Sequence, residues 1–170
     1  LTPAQRGAIA FTVSDFGALN TDTLETHATP WRLAAAALGL HDVDQHGGAL
    51  TPERVRAVMK RFGFLYPQRI GNWPEGLPAP TRALEAPMGI SLGVVARDAP
   101  TVRLTASNLA CAACHAGTTY NVDGSANTSI AWLGAPNTSL DLEAYVQEVY
   151  AAFKAERADE RRLMGAVQTL

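Results

Sequence analysis

The two cysteines of this 170-residue chain stand three positions apart and are followed at once by a histidine, in the run Cys111-Ala112-Ala113-Cys114-His115. Residues three apart lie on one face of a helical turn, so both thiols can reach one edge of a porphyrin. The adjacent His115 can then give a ring nitrogen to the iron. This signature predicts one covalent c-type haem, attached through Cys111 and Cys114, with His115 as the proximal ligand.

Three other interpretations of the two cysteines are weaker. A thioredoxin-type dithiol is expected within a βαβ pattern, which the sequence does not suggest. A structural zinc site needs about four ligands, and the chain has no second cysteine pair. A disulfide between Cys111 and Cys114 would close a very small loop and stabilise little. Since haem is attached covalently outside the cytoplasm, the motif also predicts an exported, periplasmic bacterial protein.

Composition excludes several classes of protein. With 47% hydrophobic and 18% charged residues, the chain can bury a core and is not expected to be disordered. Sixteen acidic against fourteen basic residues, with no basic cluster, argue against nucleic-acid binding. No apolar run approaches the ~20 residues of a membrane span, so none is expected.

Local signals predict helices in the first third of the chain. Thr29-Pro30 is typical of a helix start, with the helix running to about residue 40, and Thr51-Pro52 repeats the signal. Gly63 is expected just after the end of the second helix. The proline-rich stretch 66–87 is expected to be an irregular, ordered loop, and residues 90–95 and 101–104 to pair as short strands.

The segment that follows the cysteine motif is rich in Gly, Asn, Ser and Thr. We expect residues 116–137 to wrap the haem edge as a loop. Tyr120 and Trp132 are the aromatic residues expected to pack near the ring, with ordinary core packing as the alternative for each. A last helix is predicted from Ser139, which would be its cap, with an apolar face that ends at Phe153. The charged stretch beyond Phe153 is expected to be solvated or to pack on something outside this chain.

A second segment has the length of a calcium-binding loop. In residues 42–53, Asp42, Asp44 and Glu53 occupy positions 1, 3 and 12 of an EF-hand, and Gly47 occupies the turning position 6. Against this interpretation, His46 stands at position 5, where an oxygen ligand is usual. The segment is therefore a candidate calcium site, with a polar turn between two helices as the alternative.

The group opposite His115 would decide between an electron carrier and a catalyst, because an open iron lets peroxide or oxygen react. The candidates are three upstream histidines and three methionines: His27, His41, His46, Met59, Met88 and Met164. The histidines suit a surface better, and Met59 lies on an apolar helical stripe that suits a core. Met88 and Met164 remain as candidate distal ligands, with an open or weakly ligated iron as the alternative.

The segments 86–90 and 108–117, Tyr120 and the later run 134–136 together resemble one bacterial group. These are the dihaem cytochrome c peroxidase-like proteins, including the rubber oxygenases. The resemblance covers roughly residues 62–153 and implies a mostly helical cytochrome c-like domain with His115 as proximal ligand. In that family the N-terminal haem is commonly where peroxide or oxygen reacts, and a second haem supplies electrons. This chain has no second Cys-x-x-Cys-His, so it is either part of a larger assembly or a single-haem relative.

Together these patterns predict a mostly α fold: a cytochrome c-like haem domain over 66–170, preceded by a helix-loop-helix extension over 1–65, with long ordered loops. The expected function is electron transfer in the periplasm, within a larger redox protein or complex, with a redox partner protein or a second haem domain. The alternative is a haem enzyme domain, peroxidase- or oxygenase-like, with an open iron. A third hypothesis is a partner-binding module whose haem is structural.

Overall fold

The computed structural model of the chain describes residues 1–13, 29–79, 86–96 and 103–170. The helices in this part of the chain are α1 (Pro3–Val13), α2 (Trp31–His46), α3 (Pro52–Arg61), α4 (Ala112–His115), α5 (Leu142–Glu156) and α6 (Glu160–Thr169). The strands are β1 (Thr29–Pro30), β2 (Arg69–Ile70), β3 (Ile90–Ala96), β4 (Arg103–Leu109), β5 (Ala116–Tyr120) and β6 (Ala126–Leu133). These strands form two three-stranded sheets, so the fold is mixed α/β and the prediction of a mostly α fold is wrong.

The first sheet has the order β1-β4-β3, and the cysteine motif begins two residues after the end of β4. Strands β3 and β4 are antiparallel, with Ile90 opposite Leu109, so the predicted strand pairing is confirmed and extended. Thr29 lies opposite Ser107 in β1, and its carbonyl accepts a hydrogen bond from the Ser107 hydroxyl (2.7 Å). Residues 29–30 are therefore extended, and helix α2 begins only at Trp31.

The second sheet has the order β2-β6-β5 and follows the motif directly. The prediction of a loop over residues 116–137 is wrong, because β5 and β6 form an antiparallel hairpin with an irregularity between Thr118 and Thr119. The reason is local: three of the five residues of β5 and three of the eight residues of β6 are β-branched or aromatic, and Asn, Asp, Gly and Ser are concentrated in the turn between them. In that turn the Asn121 and Ser125 backbones are hydrogen-bonded (2.8 Å).

The main core lies between α2, α3 and α5. Met59 is fully buried there, as its helical stripe predicted, together with Leu38, Val58 and Phe64. The cluster also contains Ala113, so residues on both sides of the boundary predicted at 65/66 share one core. Helix α3 begins and ends as predicted: Thr51 caps it by accepting the Arg54 N–H, and Gly63 follows it at φ +81°.

The C-terminal segment differs from its prediction. Helix α5 begins at Leu142 with Asp141, not Ser139, as its cap, because the Asp141 carboxylate accepts the Ala144 N–H (2.9 Å). The charged stretch beyond Phe153 is not simply solvated. It contributes α6, which packs on α2 and buries Ala166. The helix was hidden in the sequence because its apolar residues follow a run of charged residues that ends at Arg162. Among the described helices, none combines the length and apolarity needed to cross a membrane.

Candidate haem-attachment site

The run from Cys111 to His115, called the CAACH turn below, folds as a single turn of helix. Cys111 has helical backbone angles (φ −53°, ψ −33°) and directly precedes α4. The His115 N–H donates to the Cys111 carbonyl at 3.0 Å, which closes the turn. Residues 111 and 114 therefore project from one face of the helix, which is the arrangement that the spacing predicted.

The two sides of the CAACH turn differ in burial. Ala112 and Ala113 are each 1% exposed and pack into the protein. Cys114 and His115 are exposed, Cys111 is partly buried, and both cysteines are free thiols. The small side chains thus anchor the turn, while the groups that could attach and coordinate a haem are accessible. In chemistry and placement, these three residues fit that cofactor.

On its inner side the turn rests on the loop at Gly89. The Ala110 N–H donates to the Gly89 carbonyl at 2.8 Å. Gly89 has φ +88°, and a Cβ at this position would collide with the Ala113 backbone. Only glycine can satisfy both conditions, because it lacks the Cβ and tolerates positive φ. The Pro-Met-Gly sequence at 87–89 therefore lets this loop approach the CAACH turn closely.

On its other side the turn is held by residues 134–137. The Gly134 N–H donates to the His115 carbonyl (2.7 Å), and the Asn137 N–H donates to the Cys114 carbonyl (2.8 Å). The Asn137 side-chain amide also donates to the carbonyls of Ala113 (3.1 Å) and Gly63 (3.0 Å). The last carbonyls of a helix have no partner within it, so these donors stabilise a turn too short to stand alone. Asn137 was not among the predicted site residues, because no local pattern identifies an amide that acts across 24 positions.

Met88 lies on the inner side of the CAACH turn. It is 4% exposed and packs in a small core cluster with Ala112 and Ala116. The Met88 backbone is fixed by donation of its N–H to the Leu65 carbonyl (2.8 Å). Met164 is 47% exposed on α6, whose main packing partners are α2 and α5. The structure thus places Met88 near the turn but among core residues, and Met164 on a different group of helices.

The upstream histidines are engaged near the end of α2. His41 Nε2 lies 2.8 Å from Gln45 Nε2 and 3.5 Å from the Glu148 carboxylate. His46 Nδ1 lies 3.1 Å from an Asp42 carboxylate oxygen. His27 lies outside the described residues. These contacts agree with the interpretation of His41 and His46 as ordinary helix-surface residues.

The two aromatic residues predicted near the haem lie on the hairpin that follows the turn. Trp132 is opposite Gly117 in the β5–β6 pair, and its indole covers Gly71 so closely that no side chain would fit there. Trp132 is 37% exposed and lies next to β5, the strand that follows His115. Tyr120 is 61% exposed at the far end of β5. Trp132 is therefore the aromatic residue nearer to the CAACH turn along the sheet.

The candidate calcium ligands are not brought together. Asp42 and Asp44 lie within α2, which continues to His46, so the segment does not have the conformation of an EF-hand loop. Asp44 binds Arg162 through both carboxylate oxygens (2.6 and 3.0 Å), and Glu53 is exposed at the start of α3. Across the described ranges, no group of three or more His, Cys, Asp or Glu side chains is placed to hold a metal ion.

Asp42 itself is a buried partner of two arginines. Its carboxylate accepts hydrogen bonds from Arg54 (2.6 Å) and Arg61 (2.5 Å). Burial alone would raise the pKa of Asp42, but the hydrogen bond and charge of Arg61, with the Arg54 hydrogen bond and His46, hold that pKa below its usual value. The acidic residue at position 42 therefore joins α2 to α3.

Comparisons of the chain with protein-family models, with curated proteins and with solved structures give no match. The resemblance to dihaem peroxidase-like proteins accordingly stays a prediction from the motif residues.

Proposed function

We propose that this chain is a c-type haem protein that transfers electrons in the bacterial periplasm, as part of a larger redox protein or complex. The observation that carries the proposal is the CAACH turn. Its two free thiols lie three positions apart on a helical turn, with His115 exposed beside them. The surrounding chain holds that turn from both sides, so the attachment residues are presented to a ligand on a fixed support.

Each residue of the turn has a defined part in this function. Cys111 and Cys114 would form the thioether links, and His115 would bind the iron. The haem, when bound, supplies one-electron chemistry. Gly89 and Asn137 fix the backbone from which the ligands project. The exposed setting of Cys114 and His115 favours a haem edge near the surface, where a redox partner or a second haem domain could dock.

A haem enzyme with an open iron is the second candidate, and one observation favours it. Met88 is committed to the core cluster beneath the turn, and Met164 lies on a helix that packs elsewhere. The Met88 side chain is thus occupied in core packing, and Met164 belongs to a different group of helices. If His115 were the only protein ligand of the iron, the iron would remain open to peroxide or oxygen.

Covalent attachment is tested by exporting the chain in a bacterium that carries the cytochrome c maturation machinery. We expect haem to remain on the protein in a denaturing gel, and to be lost when both cysteines are changed to alanine. C111A and C114A should each show the pyridine haemochrome band of a single thioether link. M164L serves as the matched control and should retain full haem. If the exported wild-type chain carries no covalent haem while a known cytochrome c does in the same cells, the proposal is wrong.

Carbon monoxide separates the two candidate functions. An electron carrier with a sixth ligand should be low-spin in the ferric state and, when reduced, should not bind carbon monoxide. If Met88 moves out of the core to bind the iron of such a carrier, the reduced M88L variant should bind carbon monoxide. The reduced M164L variant should not. A high-spin ferric spectrum with rapid carbon monoxide binding in the wild type would reject the carrier and support the enzyme.

A further inference from the structure

The outer side of α5 exposes two large apolar side chains next to each other. Val146 is 55% exposed and Tyr150 is 71% exposed. Because they are four positions apart, they are neighbours along one line of the helix surface. On its inner side the helix packs against α2, and Ala152 is fully buried in the main core. Single apolar residues on a surface are ordinary, but an adjacent pair on one line of a helix is a candidate contact surface.

Two opposite charges lie at the ends of the same line. Glu143 is three positions before Val146, Lys154 is four positions after Tyr150, and both charged residues are exposed. The Gln147 amide donates to the Glu143 carboxylate at 3.1 Å, which restricts where that carboxylate lies. Among the described residues, neither Glu143 nor Lys154 takes part in an ion pair. The line from Glu143 to Lys154, called the outer face of α5 below, is therefore negative at its start, apolar in its middle and positive at its end.

This order of groups is complementary to itself when the direction of the helix is reversed. In an antiparallel pair of α5 helices with a two-fold axis midway between Val146 and Tyr150, each valine faces the tyrosine of the other copy. In the same register, Glu143 is offset from Lys154 of the other copy by one residue, about 1.5 Å along the helix. One register thus serves both the apolar and the charged contacts, as an isologous interface requires. A parallel pair would place each charge against its own like, which opposes association.

We propose that the outer face of α5 binds a second copy of this chain and forms a two-fold antiparallel helix pair. A contact of about three helical turns is at the small end of protein interfaces, so the dimer is a weak one, with a Kd of about 10–500 µM. The face contains no residue of the CAACH turn. The proposal therefore goes beyond electron transfer and stands whether or not haem is attached.

A zero-length carbodiimide cross-linker tests the geometry directly, because it joins a carboxylate to an ammonium group only when the two are in contact. Glu143 and Lys154 are eleven positions apart on one helix, about 16 Å, so they cannot be joined within one copy. Equal amounts of ¹⁵N-labelled and unlabelled chain are cross-linked under reducing conditions, which prevent links between the free cysteines. We expect mass spectrometry to find a mixed-label peptide that joins Glu143 to Lys154. Lys60, the only other lysine, is the internal control and should not be joined to Glu143.

Sedimentation equilibrium, from well below to well above the expected Kd, measures the association itself. V146K should weaken the dimer at least about tenfold, because it sets a charge against Tyr150 of the other copy. V122K is the matched control: it makes the same substitution at an exposed valine in the turn between β5 and β6, and it should leave the Kd unchanged. E143K should also weaken the dimer, because it sets like charges against each other. The double variant E143K/K154E exchanges the two charges and should restore the association.

Four results would each overturn the proposal. The first is a chain that remains monomeric well above the expected Kd, which would leave the outer face of α5 to a different partner. The second is a dimer that V146K and V122K weaken equally. The third is a mixed-label link from Glu143 to Lys60 in place of Lys154. The fourth is a double variant that associates no more tightly than E143K.

Discussion

Arg162 holds the C-terminal helix to the rest of the protein through a buried acid. Its guanidinium donates to Glu156 Oε1 at 2.8 Å and also binds the partly exposed Asp44. The Glu156 side chain is fully buried, and its other oxygen has no partner among the described residues. Replacing Arg162 by methionine would therefore leave a buried carboxylate with neither of its oxygens satisfied.

The expected cost of R162M is about 3 kcal/mol of unfolding free energy at neutral pH. Removing one partner of a buried ion pair typically costs about 3–5 kcal/mol, and the lower end applies because Arg162 is itself partly exposed. The lost contact with Asp44 adds little, since surface pairs contribute only about 0–1 kcal/mol. A loss of this size is a large fraction of the stability of an ordinary domain.

The loss should also depend on pH. Burial raises the pKa of Glu156, with Asp44 and Asp159 acting in the same direction and Arg162 and His41 opposing them. The folded chain therefore binds this proton more tightly than the unfolded chain, so the Glu156 contribution to stability increases as pH falls through the raised pKa. Without Arg162 that pKa rises further, and the deficit of R162M should shrink between pH 7 and pH 5.

Urea unfolding followed by tryptophan fluorescence measures both effects. The matched control is R161M, one position earlier on the same helix, where an exposed arginine is removed and the stability should change by less than about 0.5 kcal/mol. The reasoning would be refuted if R162M lost no more stability than R161M at pH 7, or if its deficit grew as the pH was lowered.

Three further predictions concern the supports of the CAACH turn and the α2–α3 contact. G89A should lose about 3 kcal/mol of unfolding free energy, because alanine at this position has an unfavourable positive φ and collides with the turn. G124A is the control: it has φ +80° but lies in open space, so it should lose only about 1 kcal/mol. Equal losses in thermal unfolding would contradict this prediction. N137A should lose about 2 kcal/mol and lower the yield of attached haem, and an unchanged urea midpoint would count against it. D42N should lose about 2 kcal/mol of unfolding free energy at pH 7 and less in acid. Because the pKa of Asp42 is lowered in the folded protein, its carboxylate stabilises the fold at neutral pH, and this stabilisation is lost as the carboxylate is protonated. A loss that does not change with pH would reject this prediction.

Local signals in the sequence were sufficient wherever the physical cause is local. The Thr51 cap and Gly63 set the limits of α3 because a cap and a positive φ act within a few residues. The spacing of Cys111, Cys114 and His115 likewise predicted a helical turn, which is what the structure contains. The antiparallel pairing of β3 with β4 also agrees with the strand pairing predicted for these segments.

The prediction was wrong where it relied on the amino-acid composition of a segment and not on the order of its residues. The stretch after the CAACH turn is rich in small polar residues, and it was predicted to be a loop. Threonines are β-branched, however, and they extend readily when a partner strand lies beside them. The positions of three acidic residues matched those of calcium ligands: Asp42, Asp44 and Glu53. In the structure, however, the two aspartates form ion pairs with arginines from other helices.

By itself, the sequence determined the helical CAACH turn, the α3 boundaries and the core role of Met59, because periodicity, capping and spacing are properties of neighbouring residues. Only the tertiary structure decided that Asn137 and Gly89 hold the turn, that Met88 packs beneath it, and that Glu156 is buried against Arg162. Those contacts join segments tens of residues apart. Their free energy depends on which surfaces the chain brings together and on how much water is removed between them, and no local pattern records either quantity.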